Sequence, residues 1–548
     1  MVAGLDGQIS KDNSLDKIIK CIENNESFVL DAGAGSGKTW SLIETIKYII
    51  ENNSENYNRL AKNLGCITYT NVAVEEIKKR IGENEILVVN TIHEFLWDII
   101  KQFQMELKEI IVNLHQEVND LSEFSIDYRN YRDIKKGIIS HDDVIEISSE
   151  LFAAHRKLQQ LFIDKYPVIL VDEYQDTHQE VVNIFLDLIN NNISENLFTV
   201  GFFGDSLQSI YDKRTAKITE NDKLSHITKE SNFRSAEEII NLLNVIRTDI
   251  EQFPAGKNKS IQGSKHFIYN DQDDDKNEIF QGVKNKLESD WGSLKVFFLT
   301  YKRIASNSGF RNLFKYYKRF YEYYEFKEKL FEKECPIITF LADRVEKNVS
   351  YYENNNIFSF MENIDFNFLT NHDKIKLKRI MDKLIEIRDT GKVKDVWNFA
   401  FDKKLFVKGD KIVNFQKDFE QNTEKKQFFK NIMRLDYEEI INFYNYNEND
   451  SVFSTQHGTK GEEYENVLLV IMDRNWNKYN FAEYLTGDLS ELKDSIYQRT
   501  QNLFYVSCSR AVKNLAVLYL TDIKGNGLSR VKDWFGNENV ISVNEFLI

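Results

Sequence analysis

Eight residues, Ala32-Gly33-Ala34-Gly35-Ser36-Gly37-Lys38-Thr39, constrain this chain more than any others. They follow the apolar run Phe28-Val29-Leu30 and precede the helix-like Leu42-Ile43-Glu44-Thr45-Ile46. A strand, a turn of small residues and a helix, in that order, wrap successive backbone N–H groups around an anion and aim the positive helix end at it. This is the composition of a phosphate-binding loop, in which the Lys38 ammonium reaches the β- and γ-phosphates and the Thr39 hydroxyl holds Mg²⁺. The strict pattern has glycine where this chain has Ala32, so the loop carries one extra methyl group. A Gly-rich turn without a ligand is the plain alternative, and the flanking strand and helix count against it.

A triphosphate site needs a second acidic anchor. The apolar run Val168-Ile169-Leu170-Val171 ends in Asp172 and Glu173. Asp172 is placed to bind Mg²⁺, directly or through water, and Glu173 to orient and deprotonate an attacking water. An acidic pair at a strand end is often only a solvated corner; beside a phosphate loop it acquires a use. The continuation Tyr174-Gln175-Asp176-Thr177 completes the form Asp-Glu-x-Gln-Asp. With these residues the chain resembles the UvrD/Rep-type superfamily 1 helicases.

The resemblance extends in order along nearly the whole chain. Ile67-Thr68-Tyr69-Thr70-Asn71 resembles the motif that grips a single-strand backbone, which implies DNA contacts at Thr70 and Asn71. Asn90-Thr91-Ile92-His93-Glu94-Phe95 resembles the next such segment, with Thr91 and His93 in the matching places. Gly204 to Tyr211 is similar to the element that couples the γ-phosphate to DNA, implying that role for Gln208 and a DNA contact for Tyr211. Asn232-Phe233-Arg234-Ser235 resembles the segment whose aromatic stacks on adenine and whose arginine touches the γ-phosphate. Thr455 to Tyr464 resembles the fifth motif, which implies that Thr455 and His457 face DNA and Glu463 the ribose. Tyr505-Val506-Ser507-Cys508-Ser509-Arg510-Ala511 resembles the sixth, with Arg510 as a second arginine finger. Taken singly, His93 and His457 read as structural histidines, and Arg234 and Arg510 as surface arginines. Two distant arginines make chemical sense when two lobes close over one ATP, because added cations stabilise the spreading charge of the transition state.

The implied fold is α/β, with two RecA-like parallel-sheet lobes and mostly helical insertions. Residues 1–96 and 165–260 form lobe 1A, 97–164 insertion 1B, 261–305 and 451–548 lobe 2A, and 306–450 insertion 2B. The four cysteines, Cys21, Cys66, Cys335 and Cys508, have no metal-binding spacing, so zinc, iron–sulfur clusters and disulfides are not expected. An apolar signal core and long apolar runs are both missing from the sequence, which reads as cytoplasmic with no membrane partner.

The net charge of −15 confines any nucleic-acid contact to a groove of locally opposite charge. Two segments mix cations with aromatic residues: Tyr301-Lys302-Arg303 through Arg311, Lys315, Lys318, Arg319 and Tyr321, and Tyr128-Arg129, Tyr131-Arg132, Lys135-Lys136. Either is a stacking platform or an amphipathic helix with a solvated basic face and a buried aromatic stripe, and the second reading is the simpler. Two departures from the family stand out. Asp212-Lys213-Arg214 occupies the place of a base-stacking tryptophan, and the adenine-recognition glutamine falls at Gln8, 30 residues before Lys38. The chain ends soon after the sixth motif, so a nuclease activity is expected from a partner protein. Its compactness resembles the helicase subunit of Gabija-type anti-phage systems. The resemblance implies an ATP- and Mg²⁺-dependent translocase and helicase moving 3′ to 5′ on single-stranded and duplex DNA, in phage defence or repair. The alternative is an ATP- and DNA-sensing subunit that licenses a partner nuclease with little unwinding of its own.

Overall fold

A computed structural model describes residues 13–548 except 116–117, 119, 130, 192–197, 210–215, 217, 219–222, 272–274, 322–324, 367–369, 449–450, 457–460, 473–477, 488–493 and 524. In chain order the strands are β1 (Ser27–Ala32), β2 (Leu64–Thr68), β3 (Leu87–Thr91), β4 (Asp127–Tyr128), β5 (Ile138–Ile139), β6 (Val168–Asp172), β7 (Thr199–Gly204) and β8 (Leu224–Lys229). They continue as β9 (Ser231–Asn232), β10 (Phe253–Pro254), β11 (Ser264–Tyr269), β12 (Lys295–Phe298), β13 (Phe453–Thr455), β14 (Tyr464–Ile471), β15 (Ala511–Tyr519) and β16 (Val540–Ser542). Two sheets have six strands each, ordered β3-β2-β6-β7-β1-β8 and β13-β12-β14-β15-β11-β16. The fold class is α/β with two RecA-like sheets and many helices.

The chain forms two compact units. The first comprises Met1–Gly292, Lys460–Val467 and Ile471–Ile548; the second comprises Ser293–Thr459 and Leu468–Val470. In the first unit every pairing of the sheet around β1 is parallel. Its strands are nearly continuous apolar runs because both faces are covered. Alternation along β6 shows this directly: Ile169 and Val171 enter one core, with helices Ile92–Ile100, His141–Ala154 and Gln179–Asn190, while Val168 and Leu170 enter the other, with helices Ser14–Asn24 and Lys38–Leu60. Sheets of this kind gather ligands beyond the carboxyl ends of their strands. At those ends lie the phosphate loop after β1, Thr70 and Asn71 after β2, Thr91 closing β3, Asp172 and Glu173 at β6, and Asp205 after β7. β11 runs parallel to β15 and β16 in the same unit.

The second unit pairs β12 with β13 in parallel and is otherwise mainly helical. Aromatic side chains fill it: Tyr317 meets Phe428 edge-on at 5.0 Å, and Phe340 stacks on Phe401 at 4.5 Å. Helix Arg311–Phe320 buries Leu313, Phe314 and Tyr317 and exposes Arg311, Lys315, Lys318 and Arg319. This is the solvated basic face with a buried aromatic stripe. The other mixed segment is neutralised locally, by Arg129–Asp127 at 2.8 Å, Arg132–Asp143 at 3.1 Å and Lys136–Asp133 at 3.0 Å.

Candidate nucleotide site

Ala32 is the last residue of β1, buried and in register with Lys229 of β8. A side chain is acceptable there because the backbone first turns left-handed at Gly35 (φ 72°) and again at Gly37 (φ 76°), the two positions where a Cβ would be strained. Gly37 caps the helix Lys38–Leu60 and accepts the Ser41 N–H at 3.1 Å. Ser36 Oγ is buried in the loop with no hydrogen-bond partner, a polar atom that an anion would satisfy. Beside the loop, buried Lys229 donates to Ser41 Oγ at 2.5 Å and lies 5.2 Å from the Trp40 ring centre.

Lys38 Nζ stands 2.9 Å from Glu173 Oε2. Burial pushes the Lys38 ammonium down, but Glu173, Asp172 and Asp205 outweigh it, and its pKa ends above the ordinary lysine value. Asp172 is buried at the end of β6. Burial raises its carboxyl above the usual range, Glu173 adds to the rise and Lys38 opposes it. Glu173 itself adopts φ 49°, ψ 46°, a left-handed conformation uncommon outside glycine. Its N–H is held by Asp172 Oδ1 at 3.0 Å and its C=O accepts the Asp176 N–H at 2.9 Å, while Gln175 donates to its carboxylate. Such strain, about 1–3 kcal/mol, persists where surroundings over-determine it and clusters at functional sites.

Arg234 packs directly against this loop, and Arg510 is linked to it through Gln208, Asp205 and Tyr505. A Cβ built at Gly35 would meet Arg234 Cβ at 2.6 Å. Asn232 Oδ1 holds the Arg234 N–H at 2.9 Å, and the Arg234 guanidinium donates to Glu463 at 2.9 Å and to the Ser509 carbonyl at 3.3 Å. Arg510 is 1% exposed and donates to the carbonyls of Val506 and Glu462, both at 3.1 Å, and to Gln208 Oε1 at 3.3 Å. Burial, and then Arg234, push the Arg510 guanidinium down to about 9. Gln208 donates in turn to Asp205 at 2.9 Å. Phe233 is 45% exposed beside Gly37, its N–H on the Gly35 carbonyl at 2.8 Å.

Four residues of this cluster escape a motif-by-motif reading. Asn232 and Gln252 both donate to the Ala34 carbonyl, at 2.9 and 3.1 Å. Arg247, 2% exposed, binds Asp205 at 2.7 Å, Asp249 at 2.9 Å and Asp31 at 3.1 Å. Tyr505 accepts the Ala34 N–H at 3.0 Å. Arg247 and Gln252 carry no sequence signal of such partners, whereas Asn232 and Tyr505 lie inside motif segments that give no sign of their contacts with Ala34.

On the strand-end surface, Thr70 and Asn71 are exposed, and Thr70 caps helix Asn71–Ile81 through the Ala73 N–H at 3.2 Å. Thr91 spends its hydroxyl in a capping box with Glu94. In the second unit, Thr455 is buried at the end of β13. Gln8, Tyr211, Lys213 and His457 lie outside the described residues. His93 packs 4.9 Å from the His141 ring; burial, then His141 and His178, lower its pKa from 6.5 to about 4. Because the folded value lies below the unfolded one, only the unfolded chain takes up this proton as pH falls from 6.5 towards 4, and folding stability drops across that window. Melting temperatures at pH 7 and pH 5 should therefore differ less for His93→Gln than for the native chain; an unchanged difference refutes the assignment.

Among the described residues no cluster of three or more His, Cys, Asp or Glu could hold a metal ion, and no helix is long and apolar enough to cross a membrane. The four cysteines are buried and unbridged.

The AAA domain family model matches residues 16–214. Over 95% of this chain and 97% of the relative, the sequence is 28% identical to Gabija protein GajB of Bacillus cereus (strain HuB5-5). It is also 28% identical to the ATP-dependent DNA helicase PcrA of Staphylococcus aureus, over 41% of this chain and 38% of that protein. A crystal structure of Pif1 helicase from Candida albicans aligns over 52% of this chain and 55% of that one at 15% identity and TM-score 0.24, too loosely to bear on the fold. In its ordered motifs, its two six-stranded sheets and these relatives the chain is similar to the UvrD/Rep-type superfamily 1 helicases, which are ATP-hydrolysing enzymes, and along nearly its whole length to a Gabija protein.

Proposed function

We propose that this chain couples ATP hydrolysis to 3′-to-5′ movement on single-stranded DNA and to duplex unwinding, in the cytoplasm, in phage defence or repair beside a partner nuclease. The observation that carries the reading is that Arg234 packs against the phosphate loop, Arg510 is tied to the same loop through Gln208, Asp205 and Tyr505, and Lys38 of the loop pairs with Glu173. On this reading residues 1–96 with 165–260 and 261–305 with 451–548 act as lobes 1A and 2A, and 97–164 and 306–450 as insertions 1B and 2B. Lys38 binds the β- and γ-phosphates, Phe233 and Glu463 hold adenosine, and Glu173 takes the proton of the attacking water. Arg234 and Arg510 stabilise the charge that develops on the transferred group. The buried, unpartnered Ser36 Oγ and the crowded carboxylates Asp172 and Glu173 fit a bound phosphate with a divalent cation; Thr39 and Asp172 would hold Mg²⁺, which when bound neutralises phosphate charge.

Charge segregation supports a nucleic-acid substrate. Residues 293–459 carry 29 Lys and Arg against 25 Asp and Glu, although the whole chain is at −15. Within them Lys374, Lys376, Lys378 and Arg379 are exposed on the first turns of helix Asn371–Thr390. Like charges there oppose one another and the helix dipole, a local cost that phosphate binding would offset.

Lys213 in the place of a stacking aromatic favours the second reading, an ATP- and DNA-gated switch on a partner nuclease. The separating experiment measures ATPase with and without single-stranded DNA, then strand displacement on duplexes tailed at either 3′ or 5′ ends. DNA-stimulated turnover with displacement from the 3′ tail is expected. Stimulated turnover without displacement leaves only translocation or the switch, and turnover indifferent to DNA overturns both readings.

A further inference from the structure

Tyr505 lies fully buried in helix Asp494–Cys508, five residues before Arg510. Its hydroxyl accepts the Ala34 N–H at 3.0 Å and donates to Asp205 Oδ2 at 3.5 Å. The same carboxylate oxygen receives Gln208 Nε2 at 2.9 Å, and Gln208 Oε1 receives Arg510 at 3.3 Å. An unbroken buried path therefore runs from the phosphate loop through Tyr505, Asp205 and Gln208 to Arg510. Arg247 pairs with its hub, placing a guanidinium nitrogen 2.7 Å from Asp205 Oδ1 and opposing the rise that burial imposes on that carboxyl. The path also closes through the backbone, because Arg510 Nε donates to the carbonyl of Val506, the neighbour of Tyr505. A displacement of this helix that moves the tyrosine moves the arginine as well.

We propose that Tyr505 is a positioning residue that locks the phosphate loop and the Gln208–Arg510 pair into one register, so that a nucleotide held by the loop meets the arginine already aligned. The inference rests on the ATPase reading above. Phenylalanine has the same shape without the hydroxyl and would leave the Ala34 N–H without its partner. Misalignment of a group that acts in the transition state appears in kcat, whereas ground-state nucleotide binding through the loop persists.

The test compares the native full-length chain with Tyr505→Phe, Gln208→Ala and the double variant in steady-state ATPase with single-stranded DNA, mant-ADP affinity and thermal melting. The expected result is a fall in kcat of about tenfold or more for Tyr505→Phe, with KM and mant-ADP affinity kept within about twofold. Adding Tyr505→Phe to Gln208→Ala should cost little more, as for residues acting in one chain of contacts. Unchanged kcat, a raised KM alone, or losses that multiply in the double variant would overturn the proposal. Lost mant-ADP binding with a collapsed melt marks the hydroxyl as structural and overturns it too. A native chain without ATPase overturns the function proposed above and this inference with it, whereas an active native chain with an indifferent Tyr505→Phe overturns this inference alone.

Discussion

Glu173→Gln should abolish steady-state ATP hydrolysis, lowering kcat by about three orders of magnitude, while nucleotide binding is retained. Glutamine has the shape of glutamate and can occupy the same backbone conformation, so the fold is kept; what it lacks is a basic oxygen. The ion pair with Lys38, at 2.9 Å, is lost as well. Lys38 stays cationic because Asp172 and Asp205 also hold its pKa up, so its grip on phosphate survives. Single-turnover hydrolysis and mant-ADP titration check the two halves of the expectation. A companion variant exposes the strain: Glu173→Gly relieves a left-handed conformation worth about 1 kcal/mol or more. It should melt at or above the native temperature while remaining inactive. Stability and activity moving in opposite directions would mark φ 49° at this position as held for function. An active Glu173→Gln variant refutes its role as base.

What could be read from the sequence, and what could not, divides along a physical line. The phosphate loop, Asp172 and Glu173 are legible because each is a short contiguous segment whose composition follows from its own backbone geometry: small residues for the turn, an apolar run for a strand buried on both faces, acids where that strand ends. Ala32 looked like a defect in the loop, but it is a strand residue with no left-handed turn to make. The basic-aromatic run at 301–321 was ambiguous because periodicity alone cannot tell a stacking platform from a core stripe; burial of Phe314 and Tyr317 shows the stripe. Arg247, Gln252 and the contact from Tyr505 to Ala34 were illegible. Their meaning depends on partners such as Asp31, Asp205 and Ala34, which lie far away in the chain and are brought near only by strand order β7-β1-β8.

Arg510→Ala should lower DNA-stimulated ATPase about a thousandfold, and yet leave the melting temperature close to native. The stability half of that expectation comes from comparing two buried arginines in the same unit. For Arg247, burial alone would depress the pKa, but Asp205, Tyr505, Asp31 and Asp249 more than compensate and the cation is stabilised by its surroundings. Removing it strands the buried Asp205 and the partly buried Asp31, and breaking a buried pair in this way costs about 3–5 kcal/mol. For Arg510 the balance has the opposite sign. Burial and Arg234 together exceed the help from Glu173 and Asp205, and the pKa falls to about 9. The folded chain thus bears a cost to keep this cation, a cost that vanishes in alanine and offsets the loss of the hydrogen bonds to Val506, Glu462 and Gln208. A cation that its own fold disfavours is one reserved for a negative ligand, and γ-phosphate charge developing beside it would reverse the sign. Melting curves of Arg510→Ala and Arg247→Ala, beside their ATPase rates, decide the matter. The first should lose activity and keep its melting temperature, and the second should lose its melting temperature first. A severe loss of stability in Arg510→Ala with activity preserved in the folded fraction would assign Arg510 to the scaffold instead.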